Sequence, residues 1–305
     1  LLILFSCEDS DSDASLNNST SDCNELIALD SSRGECSVTL NIANEFSITT
    51  SGDLRKITAN NIPAHDVGLY GNSPGALTPN SITEQNSRYD IDLTPSMANS
   101  KTYLLNNGPA YSFGILLNGV EVDPVAAEPW PHTKPVSNGH NWDWNLEATM
   151  VDIGLDCNTA HVQPTGKYHY HGVPKLYLES ITSNSNEMLH VGWAADGYPI
   201  YYAYGFSTAD DNSSSMKMLN SSYQLKSGER SGDGDSDPCG PHTGVYSADY
   251  EFIDGLGDLD ECNGREGVTP EFPEGTYYYV ITNEFPGVPR CFVGTPSSDF
   301  KIGPG

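Results

Sequence analysis

The residues of this chain best suited to chemistry are its histidines, and they are unevenly placed. Of the eight (His65, His132, His140, His161, His169, His171, His190 and His242), six fall between residues 132 and 190. The densest run is Asp156-Cys-Asn-Thr-Ala-His161-Val-Gln-Pro-Thr-Gly-Lys-Tyr-His169-Tyr-His171. Residues i and i+2 of a strand share a face, so His169 and His171 project together while Tyr168 and Tyr170 take the opposite face. His161 lies across a Pro-Thr-Gly turn, at hairpin distance, and brings a third imidazole toward the same point. Three imidazoles around one point suit zinc or copper, and less often iron or nickel. A lone His-x-His strand more often satisfies its rings on backbone carbonyls or water, so the third histidine carries the metal reading. His140, in the polar-aromatic run Asn138-Gly-His-Asn-Trp142-Asp-Trp144, is a candidate fourth ligand. Asp196 is a candidate ligand or general base, set against a conformational role as the first residue of an Asp-Gly turn. His190 could face the same site, whereas His65, His132 and His242 read as ordinary surface or loop residues.

The elements that must position these residues are strands. Ser37-Val-Thr-Leu-Asn-Ile alternates polar and apolar side chains as a half-buried strand does, and Gly or Pro interrupts most windows before a long helix can form. Two segments repeat: Phe113-Gly-Ile-Leu-Leu-Asn118-Gly119-Val-Glu-Val and Val191-Gly-Trp-Ala-Ala-Asp196-Gly197-Tyr-Pro-Ile. Each places a Gly four residues before an Asn-Gly or Asp-Gly pair, which predicts a hairpin with a type I′ turn. A weaker repeat aligns the Tyr-His-Tyr-His run after Gly166 with Gly275-Thr-Tyr-Tyr-Tyr-Val-Ile-Thr. The expected fold is mainly β: a large β-sandwich-like domain with internal hairpin repeats and long Gly/Asp-rich loops. It is expected over residues 36–305, as one body or as two packed halves of about 36–125 and 126–305. Residues 205–266 read as long, partly ordered loops.

The formal charge is −27, from 41 acidic and 14 basic side chains. So few cations argue against nucleic acid, whose phosphates each need one, and against anionic lipid surfaces. Asp233-Gly-Asp235-Ser-Asp237 alternates oxygen ligands as calcium loops do, and Asp258 and Asp260 could add more, although neither segment fits an EF-hand. A solvated acidic loop explains them equally well. The chain has no P-loop, dinucleotide fingerprint or HExxH zinc-protease motif.

The opening Leu-Leu-Ile-Leu-Phe-Ser-Cys7 is too short to span a bilayer and resembles the end of a signal peptide with a bacterial lipobox. Residues 1–6 are then a signal remnant, and 7–35 an acidic tether lipidated at Cys7. The six remaining cysteines, Cys23, Cys36, Cys157, Cys239, Cys262 and Cys291, suggest three disulfides in an exported protein. Spacing alone suggests Cys23–Cys36, Cys239–Cys262 and Cys157–Cys291. The anchor and the acidic run after it resemble the surface-export pattern of Bacteroidetes lipoproteins.

Four separated motifs, Gly-Lys-Tyr-His-Tyr-His-Gly-Val-Pro, Val-Gly-Trp-Ala-Ala-Asp-Gly-Tyr-Pro-Ile-Tyr-Tyr-Ala-Tyr-Gly, Gly-Leu-Gly-Asp-Leu-Asp-Glu-Cys-Asn-Gly-Arg and the closing Tyr-rich strand with Pro286 and Cys291, resemble the YHYH-domain family of secreted bacterial and algal proteins. The resemblance spans roughly residues 100–295 and implies a β-domain with paired histidines, but no particular reaction. Relatives often repeat Tyr-His-Tyr-His near the end, where this chain reads Tyr277-Tyr278-Tyr279-Val280. That departure shifts weight from a symmetric four-His site to His161, His140 or a carboxylate.

Three functions follow as expectations. The first is an outer-membrane, cell-surface lipoprotein that binds copper or zinc, touching the membrane only through Cys7. The second is a metal-dependent enzyme, of hydrolase or copper-oxidase type, in which Trp142, Trp144 and Trp193 line a glycan or small-molecule cleft. The third is a calcium-stabilised adhesion or scaffold module with an outer-membrane protein partner.

Overall fold

The computed structural model describes Cys23 and residues 27–132, 139–182, 184 and 186–303. Cys7, the signal remnant and the first part of the acidic tether lie outside the described residues. The fold is mainly β and sandwich-like. An eight-stranded mixed sheet runs, in spatial order, Gly264–Gly267, Thr276–Ile281, Pro199–Tyr202, Leu189–Ala194, Gly114–Leu116, Glu121–Val122, Tyr168–Tyr170 and Ala160–Val162. A three-stranded antiparallel sheet of Phe46–Ser51, Leu54–Ala59 and Ser87–Asp92 shares its core, through Ile57, Tyr89 and Ile91 packed with Ile115, Val122, Tyr168 and Tyr170. The α-helical segment Lys175–Ile181 follows the histidine strand.

The large sheet has a pseudo-twofold arrangement. Its two middle strands, Leu189–Ala194 and Gly114–Leu116, are antiparallel, and each begins one of the repeated hairpins. Outward from each hairpin comes a parallel Tyr-rich strand, then an antiparallel edge strand. The repeated glycines make the central pairing possible: a Cβ on Gly114 would lie 2.4 Å from the Trp193 carbonyl oxygen, and one on Gly192 would lie 2.6 Å from that of Ile115. The turns differ from the type I′ expectation. Gly119 and Gly197 have positive φ, while Asn118 and Asp196 do not. Each loop closes through two backbone bonds, Gly119 N to Leu116 O with Leu116 N to Val120 O, and Gly197 N to Ala194 O with Ala194 N to Tyr198 O. This is a three-residue loop ending in a left-handed glycine, one residue longer than expected. The extra residue leaves the Asn or Asp side chain free to turn inward.

Both inward side chains meet a buried tyrosine. Asn118 Nδ2 donates to Tyr170 Oη at 2.8 Å, and Tyr279 Oη donates to Asp196 Oδ2 at 2.6 Å. A second symmetric pair joins each Tyr-rich strand to the loop before its edge strand: Tyr168 Oη donates to Asp156 at 2.8 Å and Tyr277 Oη to Asp260 at 3.0 Å. Tyrosine in a core stabilises by burying its ring but requires a partner for its hydroxyl. These bonds satisfy that requirement and pin each strand to its neighbours.

The disulfides are Cys23–Cys239, Cys36–Cys157 and Cys262–Cys291. Three bridges form as expected, but all three pairings suggested by spacing are overturned. Proximity in the chain does not translate into proximity across a sheet whose neighbours are far apart in sequence. The segment 27–35, assigned above to the tether, is docked on the domain: Ile27 packs beside Trp130 and Leu146, Asp30 N donates to Met150 O, and Gly34 bridges Asp156. The stretch 205–266 expected as loops contains the short ladders Tyr204–Phe206 with Met216–Met218 and Tyr223–Leu225 with Tyr250–Phe252. Non-reducing peptide mapping is expected to recover these three disulfides. Replacing Cys36 and Cys157 together by Ser should cost about 2–5 kcal/mol in a urea titration, since the bridge spans 121 residues.

Candidate metal centre

The histidine strand Tyr168–Tyr170 lies between Glu121–Val122, to which it is parallel, and the antiparallel edge strand Ala160–Val162. Register places His169 opposite His161 on one side and Glu121 on the other. His171 follows immediately, its backbone N–H donating to Thr159 O at 2.8 Å, so the strand's alternation carries one residue further. The tyrosine face is anchored as described above. Tyr170 Oη also meets His65 Nε2 at 2.7 Å, so His65, half-buried in a loop as expected, is held against the tyrosine face.

On the other face the imidazoles converge. His169 Nε2 lies 2.9 Å from His171 Nε2, which lies 3.1 Å from His161 Nε2. Among the described residues, these three side chains form the one group of at least three His, Cys, Asp or Glu whose ligand atoms lie within 4.8 Å of one another. His169 and His171 are 2% and 3% exposed, and His161 is half-buried on the edge strand. The opposite ring nitrogens face backbone oxygen: His161 Nδ1 lies 3.0 Å from Ile153 O and His169 Nδ1 lies 3.4 Å from Lys167 O. His171 Nδ1 makes no well-formed hydrogen bond, with the Pro124 carbonyl acting on it at poorer geometry. A carbonyl can only accept, so it holds the proton on Nδ1 and leaves the Nε2 lone pair facing the shared point. Lone pairs this close repel unless a proton or cation sits among them.

Burial disfavours the proton. It lowers the proton affinity of all three rings, carrying His169 and His171 well below the ordinary histidine range, and each of those two is depressed further by its charged neighbours in the cluster. A zinc ion with nitrogens at about 2.0–2.1 Å would hold them roughly 3.3 Å apart in tetrahedral geometry. The two spacings to His171 Nε2 are within a few tenths of an ångström of that, and all three ligand atoms lie within 4.8 Å of one another. The donor set, its tautomers and its neutrality therefore fit a divalent transition metal, and a buried His161–His169–His171 cluster able to hold one is present.

The YHYH protein family matches residues 88–294. The chain belongs to the YHYH protein family. Comparison with curated proteins and with solved structures returned no match.

The second Tyr-rich strand of this YHYH chain has a different chemistry. By the pseudo-twofold, Tyr278 and Val280 occupy the places of His169 and His171, and Arg265, opposite Tyr278, occupies that of His161. Arg265 Nε donates to Tyr278 Oη at 2.6 Å, and Val280 is buried among Met188, Tyr201, Leu219 and Leu259. Four strands separate Thr276–Ile281 from Tyr168–Tyr170 in the sheet. At about 4.8 Å per strand the two motifs lie roughly 24 Å apart, so they could not share one ion even with histidine in both.

The remaining candidates lie elsewhere. Asp196 accepts from Tyr279 Oη and, at 2.9 Å, from Gly294 N in the other half of the sheet; burial pushes its carboxyl up to about 6. His140 precedes the strand Asn141–Asn145, which pairs with Pro129–Trp130 in a separate ladder, and it is outside the convergent group. His190 Nε2 bonds Gly192 O at 2.9 Å and its ring packs on Trp193. The Asp-rich segments are turned to local use. Asp233 Oδ1 accepts the backbone N–H of Asp235 and Ser236, Asp237 accepts from Asn141, Asp258 pairs with Lys217, and Asp260 accepts from Tyr277. No three carboxylates among the described residues converge on a point.

Sequence reasoning overlooked Glu121, Asp123 and Lys167 beside the triad. Glu121 pairs with Lys167 at 2.8 Å and accepts from Tyr89 Oη. Asp123 is 3% exposed, and burial, aided by the charge of Glu121, pushes its carboxyl up to about 7. The alternation Glu121-Val122-Asp123 directly after a predicted hairpin turn was the available signal. It places two carboxylates on the buried face of a strand.

In metal-free protein the lowered histidine affinities carry a definite sign. The unfolded chain binds protons near pH 6.5 that the folded rings refuse, so the triad's contribution to stability falls as pH drops below about 6.5. The slope is up to about 1.4 kcal/mol per pH unit for each ring. Urea titrations between pH 7.5 and 5 should therefore lose stability more steeply for the wild type than for a variant with His161, His169 and His171 changed to Gln.

Proposed function

We propose that this YHYH chain is an exported, lipid-anchored surface protein that binds a transition metal, copper or zinc, at His161, His169 and His171. The observation that carries the reading is the convergence of three imidazoles, with His171 Nε2 2.9 Å from His169 Nε2 and 3.1 Å from His161 Nε2, and carbonyls facing the other nitrogens of His161 and His169. When bound, the ion would supply Lewis acidity and remove the repulsion among the three lone pairs. The chain's own part is to keep the rings neutral, through burial, and oriented, through the tyrosine anchors on the opposite face. Three disulfides support an oxidising compartment, and Cys7 in its lipobox-like context supports the anchor. Among the described residues no helix is long and apolar enough to cross a membrane.

A metal-dependent enzyme is the second reading, favoured by one observation. A cleft of about 570 Å³ is lined by Thr159 and Gly172, the backbone neighbours of His171, together with Arg33, Tyr250 and Phe285. Such a site requires an open coordination position. Azide shifting the absorption of the cobalt-loaded protein would support it, and an unchanged spectrum would favour a closed binding site.

Protein purified without a His tag is expected to carry or take up one equivalent of zinc or copper, measured by elemental analysis and by competition with a chromogenic chelator. His169→Ala with His171→Ala should abolish that uptake, and retention of full stoichiometry in the double variant would end the metal reading. Cys7→Ser should move the expressed full-length precursor from the detergent phase to the aqueous phase in a detergent partition assay.

A further inference from the structure

Asp123 is a buried carboxylate without an obvious reason to be buried. Its backbone N–H donates to Tyr170 O at 2.8 Å, so it continues its strand beside the histidine strand, one step past the Val122–Tyr170 pair. Alternation from Glu121, which is opposite His169, puts Asp123 on the histidine face beside His171. Its Oδ1 is buried with no well-formed hydrogen bond, its Oδ2 receives a long 3.4 Å bond from Gln163 Nε2, and the Val125 backbone N–H acts on the carboxylate at poorer geometry. Gln163 lies two residues beyond His161, so the amide and the carboxylate meet across the face that bears the imidazoles.

The charge inventory of this face is unbalanced. Two cations act on Asp123 without pairing with it: Lys167, whose ammonium is engaged by Glu121, and Arg290, whose guanidinium is engaged by Glu147. No ion pair among the described residues reaches Asp123. Buried carboxylates are normally paired with a cation or coordinate a metal, because an isolated buried charge is costly. Three neutral imidazoles holding a divalent ion leave the opposite imbalance, two uncompensated positive charges in a buried site. The carboxylate would offset one of the two.

We propose that Asp123 is the anionic partner of the ion held by the histidine triad, a positioning residue that offsets part of the ion's charge. The inference rests on the metal-binding reading of that triad. The convergent group holds the three imidazoles alone, so the carboxylate acts from beside the ligands; its charge favours a divalent over a monovalent ion, and the role gives the unpartnered Oδ1 a function.

The test uses the full chain and Co²⁺ or Zn²⁺ alone, titrated against a chromogenic chelator. Asp123→Asn removes the charge with little change of shape, and Asp123→Ala removes the group. Each is expected to retain one equivalent of metal with affinity weakened about 10- to 100-fold, the range for groups that support metal ligands. The metal-free Asp123→Asn protein is expected to unfold at the same or a higher temperature than metal-free wild type, because an uncompensated buried charge has been removed. Affinities within twofold of wild type in both variants would overturn the proposal and leave the triad standing. So would a fall in the metal-free unfolding temperature of Asp123→Asn, which would assign the carboxylate to folding. Wild type that takes up no metal would overturn the proposal together with the reading beneath it.

Discussion

The candidate site depends on a single strand whose two faces are both buried and both polar. Tyr168 and Tyr170 reach one way, to Asp156 and Asn118; His169 and His171 reach the other. A slip of one residue would exchange the faces, sending hydroxyls to the metal point and imidazoles into the core. The tyrosine bonds oppose that slip, since each would leave a buried polar group unpaired if broken, at a cost of about 1–3 kcal/mol. The residues that set the register of the histidines are thus on the far side of the strand from them. Asn118 and Asp156 belong to the site in this indirect sense.

The same architecture appears twice in the large sheet, and its two halves separate scaffold from chemistry. Hairpin, Tyr-rich strand, edge strand, inward Asn or Asp and hydroxyl anchor all recur. The metal-facing positions differ in kind: imidazoles beside Glu121 and Asp123 in one half, and Arg265, Tyr278 and Val280 beside Pro199 and Tyr201 in the other. Asp196 belongs to the scaffold, as the counterpart of Asn118. The substitution also shows what the face becomes when it binds no ion. An arginine–tyrosine hydrogen bond and an apolar cluster fill the space without a metal ion. The histidine half has no comparable closure: one ring nitrogen of His171 and one oxygen of Asp123 remain without a formed partner.

Much of this was legible from sequence because strand periodicity is local. Alternation put His169 and His171 on one face, the turn before them brought His161 alongside, and the repeated Gly and Asn-Gly or Asp-Gly pairs marked two hairpins. Where the loop length mattered, the reading failed: three-residue loops replaced the expected type I′ turns, and the inward Asn118 and Asp196 went unseen. Asp123 and Glu121 were missed because their importance comes from a parallel neighbour about 50 residues away in the chain, which no local pattern reports.

By itself, then, the sequence determined the mainly β class, the family, the presence of three disulfides and the three histidines that could share an ion. Each of these rests on residue type, on spacings within one hairpin or, for the family, on four short separated motifs. Only the tertiary structure decided which cysteines pair, that His140 and the Asp-rich segments stand apart from the triad, and that a buried carboxylate stands beside it. Those outcomes turn on strand order in a mixed sheet, where neighbours in space are remote in sequence. Parallel crossovers erase the relation between spacing and distance that a hairpin preserves.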